Sequence, residues 1–323
     1  MVRRGCLFAA VLAVLALVAA AIFASGWYGS SDVGKDTAFQ VPSGSSLTNV
    51  AGKLEQEGLI ASANSFLLRA KILGSSAPVK AGEFLLPAGT SPAGILAILQ
   101  HGDAIRRFIT IPEGMPSIMV HERLMAQPLL SGDVAVPPEG SVLPDTYDFE
   151  RGESRALVLQ RMQAAMGRAL EELWGKRAGQ IAVKTPREAV ILASIVEKET
   201  GVASERRMVA GLYSNRLTAR MLLQADPTII YPITKGKPLG RRILRSEIVA
   251  INGYNTYSMP GLPTGPITNP GRESIAAVLN PAKTSALFMV ADGKGGHIFG
   301  DTLEQHQANV EKWYAIRRQR GEM

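Results

Sequence analysis

Two arginines, Arg3 and Arg4, are followed by a stretch from Gly5 to Ser31 that carries no charged residue. No other feature limits the chain so strongly. Its core, LFAAVLAVLALVAAAIFA, is long enough, at about 1.5 Å per residue, to cross a hydrocarbon layer of roughly 30 Å as a helix. With both arginines on its N-terminal side, the positive-inside rule places Met1 in the cytoplasm and everything after Trp27 outside. Trp27 and Tyr28 read as an interfacial aromatic anchor. A cleaved signal peptide is the competing reading. The run exceeds an ordinary signal-peptide apolar region, which favours an uncleaved anchor. No second run of this kind follows, so a single span is expected.

The remaining composition is that of a globular protein: 46% hydrophobic and 20% charged over 323 residues, enough for one large or two ordinary domains. A net charge of +7 suits anionic partners such as lipid headgroups or an acidic wall polymer, and equally a merely soluble basic surface. No Lys/Arg stripe with interleaved aromatics is present, so nucleic acid is not expected as a partner. The one cysteine, Cys6, lies inside the apolar run, which excludes an intramolecular disulfide and a cysteine metal site.

Past a small polar tether, residues 39 to about 100 mix short strand-like runs at Phe39, Val41, Ile60, Phe84 and Leu85 with helical stretches Leu47–Gln56, Ser65–Leu73 and Pro92–Leu99. That pattern predicts a small α+β module. A strand follows at Phe108–Ile111. Residues 131–145 form an irregular crossing, and a long helix runs from Arg155 to Trp174 on an apolar spacing of three and four. Thr185-Pro186-Arg187-Glu188 opens the next helix as a capping box, and that helix runs to about Gly201. Another is expected from Glu205 to about Met221 with Ser204 as cap. Beyond Leu222 the chain reads as loops, including Asp226-Pro227 and Tyr231-Pro232. The exceptions are a β-hairpin around Asp292–Gly296 and a last helix, Leu303–Arg318.

On the helix opened by Thr185, residues Leu192, Ile195, Val196 and Glu199 share one face. Glu199 thus continues an apolar stripe. Glu197 points almost opposite, with Val190, toward solvent or a second surface, where Lys198 or Arg187 would pair with it. A carboxyl on a core-facing stripe loses solvation, its pKa rises, and it becomes able to donate a proton near neutral pH, as general acid catalysis at a glycosidic oxygen requires. A lone glutamate on such a stripe is, however, more often a cap or an arginine partner. The loops after the next helix hold Gln224, Asp226, Thr228 and Tyr231, then Tyr254, Asn255, Thr256 and Tyr257. Aromatic faces with amides and hydroxyls suit a carbohydrate cleft, though each could equally pack locally. No phosphate loop, no HExxH-type spacing among the four histidines and no Gly-x-Ser-x-Gly elbow competes, so neither metal nor cofactor is expected.

Several ordered motifs carry a family likeness. Leu143–Tyr147, the ASIVEKET run of Ala193–Thr200, Asn215-Arg216-Leu217, Leu223–Thr228, Tyr254–Tyr257, Gly261–Ile267 and FMVADGKGGHIF from Phe288 to Phe299 resemble the YceG-like, endolytic murein transglycosylase family. Ala225 stands where that family commonly has Thr, and Gln307 where it usually has Asn. The resemblance implies an α+β protein with a cytoplasmic tip (1–4), a transmembrane helix (5–27), a linker (28–38), a LysM-like subdomain (39–110) and a catalytic domain (111–323). In that domain a helical part carries the catalytic glutamate, and the rest is rich in loops and β structure. It implies a lyase that cuts the MurNAc–GlcNAc bond within nascent peptidoglycan strands, leaves 1,6-anhydro-MurNAc ends and limits strand elongation. Its setting would be the outer face of the bacterial inner membrane, with peptidoglycan synthases as partners. The family's catalytic glutamate is the second of the Glu-Lys-Glu-Thr run, here Glu199, the residue that the helical face also singles out. A hydrolase using Asp226 as a second carboxylate, and a non-catalytic wall-binding protein, are the rival readings.

Overall fold

The computed structural model describes residues 2–30 and 32–322, with side chains from Phe8 onward. Met1, placed in the cytoplasm by the charge argument, lies outside the described residues. The chain divides into two compact units, Met1–Arg107 and Phe108–Met323.

The first unit begins with α1 (Val2–Tyr28), whose stretch Phe8–Tyr28 is long and apolar enough to cross a membrane. Side chains such as Phe8, Leu15, Leu17 and Ile22 stay exposed along it. The helix does not end in a free aromatic belt. Trp27 is only 2% exposed and meets Phe66 with ring centroids 5.5 Å apart, while Tyr28 alone remains open. The interfacial reading of Trp27 is thereby corrected: a ring this large gains more from the apolar core beside it. The tether is corrected too. Val33 is buried, its carbonyl accepts from Gly89 N–H at 2.7 Å, and Asp36 accepts from Ala88 N–H at 3.0 Å.

After the tether come β1 (Thr37–Val41), α2 (Leu47–Gln56), α3 (Ala63–Leu73), β2 (Gly82–Leu86) and α4 (Pro92–His101). The strands pair antiparallel, with Phe39 opposite Phe84, and both rings are fully buried. Ser46, Ser62 and Ser91 cap the three helices through their hydroxyls. Ile60 is buried in the turn before α3 and belongs to no strand.

The second unit begins within β3 (Arg107–Thr110), at Phe108; β3 pairs with β4 (Thr146–Phe149), and α5 (Ser117–Met125) lies between them in sequence. These pack with α6 (Arg155–Gly175) around Ile109, Val120, Leu124, Phe149 and Met162. A second core surrounds α7 (Pro186–Glu199), where Ala189 to Val196 are all buried. Packed against α7 are α6, α8 (Arg206–Thr218), α9 (Asp226–Thr234) and α11 (Arg272–Leu279). Between α9 and α11 lies the short α10 (Arg245–Ile248). The hairpin β5 (Phe288–Ala291) and β6 (His297–Gly300) is covered by α12 (Leu303–Gln319).

Several expectations change here, among them the loops expected beyond Leu222, where α10 and α11 also form. Helix α8 starts one residue later than expected and follows a 3-10 turn at Ala203–Glu205. Ser204 caps nothing, and Glu205 is spent on other contacts. The Asp226–Thr234 stretch is a helix, not a loop. Pro227 sits in its first turn, where a missing N–H costs nothing. Pro232 forfeits one backbone bond, offset by the burial of Thr228, Ile229 and Tyr231.

Candidate active site

Helix α7 is held at its start by Thr185, whose hydroxyl accepts from Glu188 N–H at 3.1 Å, and it ends at Glu199. Being buried on most sides, it works as a rigid spindle that presents its last residue at a fixed place. That place is a cleft of about 230 Å³, bordered among others by Glu199, Tyr213, Arg216, Gln224, Asp226, Tyr257 and His297. Larger hollows lie elsewhere in this unit, one beside Lys176, Arg206 and Arg207, another beside Met115, Met119 and Lys198. Neither reaches Glu199, so chemistry and not size selects the smaller cleft.

Glu199 is half-buried, and its Oε1 is sealed from solvent with no hydrogen-bond partner. Burial, with the nearby Asp226 carboxylate adding to it, pushes its pKa up to about 7, against the opposing pull of the Tyr213 hydroxyl and the Arg216 guanidinium. At neutral pH this carboxyl is therefore protonated in a large share of molecules, the state a general acid needs. Asp226 is differently placed. It is exposed at the start of α9 and accepts from the Tyr257 hydroxyl at 2.6 Å. Two carboxyls in one cleft thus have separate environments, one poor in water and one hydrogen-bonded.

The wall behind Glu199 is built by α8. Gly211 lets this helix approach the chain at Ala282, where a Cβ would lie 2.7 Å from a carbonyl oxygen. Asn215 donates to the carbonyls of Thr284 and Ala286 at 2.8 and 3.0 Å. Arg216 donates to Leu287 O at 2.6 Å and to Leu223 O at 2.8 Å, and lies 5.5 Å from the Phe288 ring centroid. One arginine therefore ties α8, the entry to α9 and the β5–β6 hairpin together around the cleft. Burial lowers its pKa.

Of the residues expected to meet substrate, the structure brings Gln224, Asp226 and Tyr257 to the cleft beside Glu199. Gln224 takes a left-handed backbone, φ 51°, between the buried Leu223 and Ala225. A non-glycine residue held in that region is strained, and strain of this kind tends to sit at functional positions. Thr228, Asn255 and Thr256 are corrected. None has exposed surface, so none can touch a ligand. The Thr228 and Thr256 hydroxyls bond each other at 2.8 Å, and Asn255 Nδ2 donates to the carbonyls of Ile248 and Ala250. They are polar mortar between α9 and the 250s loop, satisfied internally because buried polar groups must be. Tyr231 is 9% exposed and lies with Tyr254 at 4.8 Å between centroids; neither borders the Glu199 cleft. Ala225 is buried, with its N–H donated to Thr256 Oγ1, so its departure from the family's usual Thr is not a surface change.

Glu197 also departs from expectation. Its side chain is 5% exposed, accepts from Gly271 N–H at 2.8 Å and lies 3.8 Å from Arg206; neither Lys198 nor Arg187 pairs with it. The second surface that it meets is the start of α11. Tyr213, Arg216 and His297 were not singled out as site residues. Tyr213 and Arg216 stand three apart on one face of α8, and a polar pair on an otherwise apolar stripe was the available signal. Among the described residues no three His, Cys, Asp or Glu side chains gather to hold a metal ion.

A glutamic acid with a raised pKa, set in a polar cleft of an α+β protein beside a hydrogen-bonded carboxylate, is a candidate acid–base site. The chain belongs to the YceG-like family, whose sequence profile matches residues 39–312. It is 26% identical over 312 residues to a Bacillus subtilis protein named endolytic murein transglycosylase, covering 87% of this chain and 85% of that one. A Streptococcus pneumoniae protein of the same name is 28% identical over 319 residues, covering 84% of this chain and 57% of the relative, so this chain spans just over half of that relative's length. The crystal structure of a YceG-like protein from Listeria monocytogenes superposes with a TM-score of 0.53 at 25% identity, covering 85% of this chain and 98% of that chain.

Proposed function

We propose that this chain is an endolytic murein transglycosylase, anchored by α1 in the bacterial inner membrane with the rest outside. It cuts the MurNAc–GlcNAc bond within nascent strands and so limits their length. The observation that carries the reading is Glu199, with its pKa pushed up to about 7 in a polar cleft. Family membership and the relatives' name support the substrate. Glu199 protonates the leaving glycosidic oxygen, and an oxocarbenium-like state forms. The resulting carboxylate then takes the proton from the MurNAc 6-hydroxyl as that oxygen attacks C1. The proton returns to where it started, and no water is consumed. Gln224, Asp226 and Tyr257 are the proposed glycan contacts. The wall of buried Thr228, Asn255 and Thr256 keeps them in place.

The strand–helix–helix–strand order of the first unit supports a LysM-like, glycan-holding module there, with Phe108–Thr110 of the expected range 39–110 falling in the second unit. Synthases that extrude nascent strands are the proposed protein partners. The exposed apolar face of α1 supports the anchor. Incubating the protein with nascent strands and weighing the products tests the reading: anhydro-MurNAc ends are expected. Reducing ends would instead establish hydrolysis, the outcome that the proximity of Asp226 would favour.

A further inference from the structure

The cleft has a second ring wall that the single-carboxyl mechanism leaves unused. His297, the first residue of β6, borders the cleft with Glu199 and is held from several sides. Its backbone N–H donates to Glu205 Oε1 at 2.9 Å, and its Nδ1 lies 2.9 Å from Glu205 Oε2. It pairs with Ala291 across the hairpin, and its ring lies 6.3 Å from that of Phe299. Asp292 fixes the turn by accepting from Lys294 and Gly296 N–H at 2.6 and 2.9 Å. A Cβ at Gly296 would lie 2.5 Å from Glu205 Oε1, so a side chain there would push that carboxylate from its place. Glu205 is also tied to the end of the catalytic helix, since the Thr200 hydroxyl donates to its Oε2 at 3.3 Å. A continuous chain, Thr200 to Glu205 to His297, runs from the residue after Glu199 back into the cleft.

Burial works to raise the Glu205 pKa, but the His297 ring, the His297 backbone N–H and the Thr200 hydroxyl outweigh it, and the net shift is downward. Glu205 is then a carboxylate, which only accepts, so Nδ1 of His297 carries the proton. That leaves Nε2 as the ring nitrogen open to a further hydrogen bond. Nε2 has no hydrogen-bond partner among the described residues and is not sealed from solvent. Carboxylate-anchored imidazoles of this kind hold one nitrogen so that the other faces a ligand in a set tautomer.

We propose that His297 is a substrate-binding residue whose Nε2 hydrogen-bonds a hydroxyl or acetamido group of the sugar seated against Glu199, with Glu205 and Thr200 as its positioning residues. The proposal rests on the glycan-cleaving reading and names a further contact within it. An asparagine at this position can keep the Nδ1-like donor to Glu205 but cannot reach the place of Nε2. A glutamine can reach it.

His297→Asn should fold with an unchanged melting temperature and lose about ten- to a hundredfold in kcat/KM, the scale of one unmade hydrogen bond. His297→Gln should recover part of that loss. A well-folded His297→Asn protein with unaltered kcat/KM would overturn the proposal. A second measurement needs neither substitution at 297 nor turnover. In Glu199→Gln protein with 15N-labelled histidine, the free protein should show His297 protonated on Nδ1, and added glycan strands should shift its Nε2 resonance. An unmoved resonance with strands bound sinks the inference, and strands that do not bind at all sink both it and the reading beneath it. Absence of anhydro ends from wild-type digests counts against the transglycosylase reading alone.

Discussion

At the scale of single residues, Glu199 and Glu197 make opposite experiments. Glu199→Gln keeps shape and can still donate a hydrogen bond, but it cannot transfer a proton. Strand cleavage should fall by at least about two to four decades, read as anhydro-muropeptide yield. Its stability effect has a definite sign. A carboxyl whose pKa rises from its ordinary 4.5 to about 7 on folding stabilises the fold fully below pH 4.5 and loses that contribution as pH climbs through 7. The deficit by then is at most on the order of 3 kcal/mol, because part of the side chain still meets water. Glu199→Gln should therefore melt above wild type at pH 8, and the gap should close by pH 4.5. Equal melting at both pH values would refute the burial argument. Glu197→Gln should do the reverse. Its carboxylate is matched to Gly271 N–H and Arg206, so the variant should lose about 1–3 kcal/mol in urea titrations while folded molecules still cut. A dead but fully stable Glu197→Gln would reassign the catalytic acid.

At the scale of elements, the cleft depends on how α8 meets the β5–β6 hairpin and the start of α9. Arg216 supplies that junction through the carbonyls of Leu223 and Leu287. Arg216→Met would fill the space but leave those carbonyls unpaired, at a cost of about 2–4 kcal/mol. It would also remove a cation that holds the Glu199 pKa down, so the descending limb of the pH–rate profile should move to higher pH. A profile that stays put would mean that Arg216 acts on packing alone. Helix α9 shows why this junction was hard to read beforehand. Two prolines within nine residues signal a loop locally, and only burial of Thr228, Ile229 and Tyr231 against neighbouring elements makes the helix favourable. The bounds of helix α7 and the inward face of Glu199, in contrast, were readable, because its cap, its proline and its apolar spacing act within two turns, whereas the partner of Glu197 was not.

At the scale of the whole molecule, the first unit and its helix form one folded body. Trp27→Ala should destabilise that unit by about 3–5 kcal/mol, because the indole fills its core against Phe66. Tyr28→Ala, at a site 63% exposed, should stay near neutral in the same melting measurement. Orientation is tested by protease added outside the inner membrane. The chain beyond Asp32 should be digested, and protection of that bulk would reverse the topology drawn from Arg3 and Arg4.

What the sequence determined by itself was whatever short-range physics writes. The uncharged apolar run, the capped helix with Glu199 on its inner stripe and the Gly-rich hairpin turn each depend on residues within a few positions of one another. The family motifs added the identity of the cleft. Only the tertiary structure decided which polar groups face it. Thr228, Asn255 and Thr256 look like ligand-binding residues in one dimension, yet internal partners, some as far as 28 and 31 positions away in sequence, consume them. Glu197 looks solvated until α11 arrives beside it. His297, 92 residues from Glu205, joins the site only when the hairpin folds over the 3-10 turn. Hydrogen-bond satisfaction is a property of the packed chain, so a polar side chain is available for function only through surface that folding leaves open.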